Sequence, residues 1–167
     1  MNNDLSSQVS WLQAPGHTAW RLAEGQRLLA FSRAARLAEG FGDLDAAGRL
    51  ALDASAQTLT TARMTHCFAL AHLQGLPGHL GLAAHGVSAL RGPLKDARYG
   101  GWFAQAGGRQ DSGKDAYLHA FVALAASSAV VAGVDDAEAL LSDAIDIIER
   151  HFWSEEEGAL REAYARA

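Results

Sequence analysis

Residues 99–128 read YGGWFAQAGGRQDSGKDAYLHAFVALAASS, a glycine-rich aromatic loop that runs into a helix almost without charge. Ser112 and Asp115 are spaced as a capping pair that opens the helix: a side-chain oxygen can accept the orphan first-turn N–H groups, and the acid suits the positive end of the dipole. Lys114 and Asp115 are then the only charges before Gly133. Tyr117, Phe121, Val122, Leu124, Val130 and Val131 cover the circumference, while Ala116, Ala120, Ala123, Ala125 and Ala126 admit close neighbours on several sides. The pattern predicts an inner helix whose polar start meets a mouth built of loops.

Downstream, Gly133 stops the chain and Asp135 with Glu138 reads as a capping box for a further helix. Its predicted stripe is Ala137, Leu140, Leu141, Ala144, Ile145 and Ile148, with Asp143, Asp146, Glu149 and Arg150 facing water, so this helix belongs outside. The tail FWSEEEGALREAY adds aromatics, acids, a glycine and an extended arm. Upstream, a helix over 79–90 contains His85 and Gly86 and ends at Gly92-Pro93, after a break at 75–78. Before it, 59–74 forms a helix in which Arg63 is the only formal charge, so it too should be internal. The segment 41–53, FGDLDAAGRLALD, reads as a tight turn between extended arms. The first helix is expected over 18–39, with Thr18 as cap and Gly40 as stop, its arginines opposite Leu22, Leu28, Leu29 and Phe31.

Long loops therefore follow the first, third and fifth helices, with Gly48, Gly107 and Gly158 recurring about one helical hairpin apart. In antiparallel hairpins this places every long loop at one end. The expected class is all-α, a curved double layer of hairpins. Five helices are too few to close a ring, so the inner helices around Leu70 and Leu124 should expose apolar surface that drives association.

The 167 residues suit one domain or a piece of one, and a 49 % hydrophobic content supports a packed core. A formal charge of −5 without a basic face argues against nucleic acid as a partner and favours a small neutral or polar ligand. The lone Cys67 excludes an internal disulfide and points to a reducing compartment. MNNDLSSQVS lacks the features of a signal peptide and no apolar run is of membrane-spanning length, so the expected location is cytoplasmic, with no membrane partner. There is no phosphate-binding glycine loop, nucleophile elbow or zinc-type ligand spacing, so neither a cofactor nor a metal is expected.

The phrases TARMTHCFALAHLQGLP, AAHGVSAL, DARYGGWFAQ and GKDAYLHAFVALAASSAVVAG occur in this order. Together they resemble the N-terminal part of the N-acylglucosamine 2-epimerase family, especially its mannose isomerase-like branch, across residues 11–164. The resemblance implies part of an (α/α)6 barrel, 1–167 forming one partial domain of about five helices. It also implies isomerisation or 2-epimerisation of free mannose-type or N-acylated amino sugars through an enediol-type intermediate, without a metal. The family's substrate-binding arginine matches Arg63, and the tyrosine of its Lys-x-x-Tyr phrase matches Tyr117. Its two proton-transfer histidines find no match, which implies a C-terminal complementing segment, so no catalytic residue is assigned here. His66, His119 and Trp102 complete the candidate sugar-binding set.

Each candidate also has a structural reading. Arg63 could pair with an acid of another hairpin, because a buried unpaired charge is costly. Tyr117 could be a core tyrosine with a satisfied hydroxyl. His66 and His119 read as members of hydrogen-bond networks before they read as chemical groups, and His85 as a helix-to-loop packing residue. Trp102 and Phe103 could wall a sugar site or seal hairpin to hairpin. The alternative function is a non-catalytic helical-repeat module for binding or assembly.

Overall fold

The computed structural model describes residues 10–107 and 113–164. Five α-helices carry the fold: α1 (Pro15–Ser32), α2 (Thr58–Leu73), α3 (Leu80–Arg91), α4 (Ala116–Val131) and α5 (Ala137–Ile147). The only sheets among the described residues are three two-stranded pairs in the loops. Helices α2 and α4 lie side by side as the inner layer; α3 packs behind α2 and α5 behind α4, while α1 touches α2 lightly. This is the expected all-α arrangement of hairpins that forms part of an (α/α)6 barrel. No helix among the described residues is long and apolar enough to cross a membrane.

Three helix starts differ from the sequence reading in their capping or by more than one residue. α1 begins at Pro15, whose ring suits the first helical position, and ends at Ser32 rather than near Gly40. It stops early because 36–41 folds into a hairpin of β1 (Arg36–Leu37) and β2 (Gly40–Phe41), which the Thr61 hydroxyl anchors by accepting the Phe41 N–H at 3.0 Å. α4 starts one residue after Asp115, which is itself the cap and accepts the Leu118 N–H at 2.7 Å. Lys114–Asp115 is β3, extended against β6 (Ala163–Tyr164), so the helix cannot begin earlier; Ser112 lies outside the described residues. The capping box of α5 does not form. Asp136 takes a left-handed conformation (φ 64°) and gives its carboxylate to Arg91 at 2.7 Å.

The core runs between the layers and under the loops, through Phe41, Phe68, Leu90, Leu94, Trp102, Val122, Leu140 and Phe152. Small residues set the closeness of α2 to α3: a Cβ on Gly86 would stand 1.8 Å from the Thr65 hydroxyl oxygen. Buried Thr58, Thr61 and Thr65 recur at helical spacing and each hydroxyl is bonded. On α5 the buried stripe is Ala137, Leu140, Ala144 and Ile147. Ile145, expected inside, is exposed, and the helix ends in a π turn over Ile148–Phe152 that buries Phe152.

The inner helices are not enclosed. Leu70 is 40 % and Leu124 43 % exposed, on the open side of the inner layer. No side chain of α1 is fully buried, and Leu29 alone among its apolar residues packs against the core. An apolar groove of about 450 Å³ between α1 and α2 is lined by Leu28, Leu29, Phe31, Met64, Cys67 and Leu70.

The loops meet at one end, as the glycine spacing predicts. Gln57 pairs with Gln105, and the Ala106 N–H donates to the Ala56 carbonyl, joining the first loop to the second. β3 and β6 join the second to the third, where β4 (Trp153–Ser154) and β5 (Ala159–Leu160) form a hairpin around Gly158. The turn within 41–53 is present: Leu44 bridges Leu50 and the Asp45 carboxylate caps the Ala47 and Arg49 N–H groups.

Candidate functional site

On the open face shared by α2 and α4, Arg63 donates a hydrogen bond of 2.9 Å to the Tyr117 hydroxyl. Its guanidinium stands 4.7 Å from the centre of the Phe121 ring, and Phe121 meets Tyr117 edge to face at 4.9 Å. The spacing explains the cluster: Tyr117 and Phe121 lie four residues apart on one helical face, and the arginine stacks between them. Among the described residues no carboxylate lies within ion-pair distance of Arg63, and Tyr117 is 56 % exposed. Arginine and hydroxyl are thus held by each other and remain open to a ligand. Phe121 was read in the sequence only as apolar cover.

His66 lies one turn beyond Arg63 and is half-buried. Its Nδ1 stands 2.6 Å from the Ser128 hydroxyl, which donates to the Leu124 carbonyl at 3.0 Å. With the hydroxyl hydrogen so placed, His66 Nδ1–H is the donor and Nε2 the acceptor nitrogen of the neutral ring.

His119 and Trp102 stand behind this face. His119 is wholly buried, and both ring nitrogens are occupied: Nδ1–H donates to the Asp115 carbonyl at 2.6 Å and Nε2 accepts the Trp102 N–H at 3.1 Å. Burial pushes its imidazolium down to about 4, the Asp115 carbonyl opposing and the Lys114 charge adding to the shift. The ring is therefore a fixed neutral tautomer at neutral pH. It packs against Trp102 and Phe152, and Gly101 (φ 72°) leaves room for it, since a Cβ there would stand 2.6 Å from Nε2. The Trp102 indole donates to the Leu90 carbonyl at 2.6 Å and plugs the space under the loop. The structure brings Arg63, Tyr117 and His66 to one face and encloses the other two.

A charged pair that sequence reasoning did not single out lies between loop and helix. Lys114 and Asp96, 1 % and 2 % exposed, form an ion pair of 3.0 Å. The second Asp96 oxygen accepts the Arg98 and Tyr99 N–H groups, and burial pulls the Lys114 ammonium down to about 8. Lys114 Nζ also stands 4.4 Å over the Phe103 ring. Its sequence signal was slight: a lysine at the opening of a helix is ordinarily a solvated charge. Among the described residues, no three His, Cys, Asp or Glu side chains converge as metal ligands would.

Such a face can donate to sugar oxygens from a cation that stays charged, accept a hydroxyl at an imidazole, and offer aromatic carbon to a ring. The family model described as N-acylglucosamine 2-epimerase matches residues 40–167. A D-mannose isomerase of Pseudomonas cannabina pv. alisalensis is 57 % identical over 169 residues, covering 99 % of this chain and 40 % of that protein. A D-mannose isomerase of Thermobifida fusca is 47 % identical over 161 residues, 94 % of this chain and 40 % of that one. Among solved structures, a D-mannose isomerase superposes with a TM-score of 0.78 at 24 % identity, covering 95 % of this chain and 41 % of its own. A cellobiose 2-epimerase from Bacillus thermoamylovorans gives 0.77 at 21 %, covering 90 % and 42 %. The chain spans about 40 % of the length of the curated relatives it matches.

Proposed function

Because the chain belongs to the N-acylglucosamine 2-epimerase family, we propose that it supplies the N-terminal part of a sugar isomerase or 2-epimerase. The substrate is a free mannose-type or N-acylated amino sugar. The names of the two curated relatives favour mannose. Residues 1–167 are one partial barrel domain in this reading, and the rest of the site comes from a C-terminal complementing segment.

The observation that carries the reading is the Arg63–Tyr117 hydrogen bond on the uncovered inner face. In the open-chain sugar, a base takes the proton from the carbon beside the carbonyl, and the electron pair moves to form an enediol whose former carbonyl oxygen gains negative charge. Arg63 is suited to hold that oxygen, since a charged donor gains most where charge develops. Tyr117 sets the guanidinium plane, and His66 Nε2 accepts a neighbouring hydroxyl. Trp102 and His119 enter as packed support of α4. Return of the proton to the neighbouring carbon, with the hydroxyl proton passing from the second oxygen to the first, gives the ketose, and return to the opposite face of the same carbon gives the epimer. Acid and base are assigned to the complementing segment, because positioning alone leaves the carbon-bound proton in place.

The test is turnover of D-mannose by this chain alone and after addition of the C-terminal segment of the Thermobifida relative. The chain alone should show none, and the reconstituted protein should convert mannose to fructose. Arg63→Ala should then lower kcat/KM about a hundredfold or more. Robust conversion by the chain alone, or a reconstituted enzyme indifferent to Arg63→Ala, would sink the reading.

A further inference from the structure

The two helices that carry the candidate sugar-binding residues pack side by side, and near their starts one loop residue reaches both. Thr58, in the first turn of α2, donates its hydroxyl to the Phe103 carbonyl at 2.6 Å, and its N–H donates to the Ala104 carbonyl at 2.9 Å. The opposite side of the same residue faces α4: the Phe103 ring lies under Lys114 Nζ at 4.4 Å. Lys114, three residues before Tyr117, is drawn to Asp96 at 3.0 Å. Asp96 is fixed in turn by the hairpin that contains it, its N–H donating to the Gly101 carbonyl while Phe103 N–H donates to Leu94. Phe103 and the hairpin that carries it thus connect Thr58 to Lys114.

A buried ion pair adds little net stability over an apolar pair of similar shape, so stability is a weak reason for Lys114 and Asp96. What such a pair does give is a directional constraint. The geometry points to Lys114, Asp96 and Phe103 as positioning residues for the sugar site: they fix the start of α4 against the start of α2, and so hold the Tyr117 hydroxyl within reach of Arg63. The assignment rests on the sugar-binding reading for its purpose, although the brace itself can be tested without sugar.

The experiment uses the full chain labelled with 3-fluorotyrosine, the Tyr117 fluorine resonance being assigned through Tyr117→Phe. Arg63→Met marks where that resonance moves when the hydrogen bond is lost. In the double variant Lys114→Met, Asp96→Asn, which removes both charges and keeps the turn-capping oxygen, the Tyr117 resonance should move toward the Arg63→Met position. D-mannose affinity should fall about tenfold as the two groups lose their mutual placement. Phe103→Leu, which retains the carbonyl that Thr58 needs, should move the resonance the same way and decides the matter if the double variant fails to fold. A destabilising change in the outer layer, Leu140→Ala, should leave the resonance in place. An unmoved Tyr117 resonance in folded double variant or in Phe103→Leu overturns the brace. A wild-type protein that ignores mannose even with the C-terminal segment added, while the resonance moves as expected, supports the brace and counts against the sugar reading.

Discussion

Acid should destabilise this protein through one buried imidazole. His119 is held neutral by burial, with Nδ1–H committed to the Asp115 carbonyl and Nε2 to the Trp102 N–H. Protonation must break the second bond, because a protonated Nε2 cannot accept. In the fold the group titrates at about 4 against 6.5 for the ordinary imidazole, so the unfolded chain binds the proton first as pH falls. The stability it contributes is present above about pH 6.5 and is lost toward pH 4. At about 1.4 kcal/mol per pH unit the whole effect is about 3 kcal/mol, with roughly 2.5 kcal/mol gone by pH 4.5. His119→Gln removes the titration and keeps an oxygen able to accept the Trp102 N–H. Urea midpoints followed by far-ultraviolet circular dichroism between pH 7.5 and 4.5 compare the two proteins, and carboxylates common to both cancel. The variant should be less stable by about 1–2 kcal/mol at pH 7.5. That gap should close, then reverse, as the pH is lowered. Parallel stability curves would refute the reasoning.

Gly86→Ala should destabilise by about 1–3 kcal/mol, the range for overpacking, because its methyl would collide with the Thr65 hydroxyl between α2 and α3; thermal unfolding of Gly86→Ala alone and with Thr65→Ala reads whether the second change restores stability. Arg63→Met should change stability by less than about 1 kcal/mol, since the guanidinium is open and only rests on the Phe121 and Tyr117 rings; a loss of several kcal/mol in urea unfolding would restore its reading as a structural anchor. The uncovered faces around Leu70 and Leu124, with the groove beside α1, should drive self-association at moderate concentration; a monodisperse monomer by light scattering that binds no hydrophobic dye would contradict this.

The five helices were legible because each has a local cause, either apolar cover at helical spacing or a glycine stop, and α2 and α3 depart from the sequence reading by a residue at each end. The errors fall where a distant segment competes for the same backbone. Asp115 and Glu138 both looked like the acid of a capping box; one proved to be the cap because β6 pairs with the two residues before the helix, and the other has no box because Asp136, not Asp135, stands at the cap, left-handed and with its carboxylate on Arg91. The end of α1 failed for the same reason, since the hairpin at 36–41 answers to Thr61 on the next helix. In the candidate site, Arg63 and Tyr117 were named from the family phrases, and their separation in sequence gives no hint of the bond between them. Lys114 and Asp96 were not seen as a buried pair because charge in a sequence says nothing of burial. Only the folded loop makes a lysine and an aspartate inaccessible together.

The pairing of β3 with β6 also has a temporal consequence. Lys114–Asp115 immediately precedes α4, whereas Ala163–Tyr164 is the last strand described, so α4 and α5 both lie inside the closed segment. A chain leaving the ribosome presents α4 well before the strand that fixes its first residue. Until Tyr164 emerges, the extended backbone at 114–115 lacks its partner, and closure of so long a segment carries an entropic cost that local helix formation does not. The strand at 114–115 therefore gains its partner only after α4 and α5 have both been made.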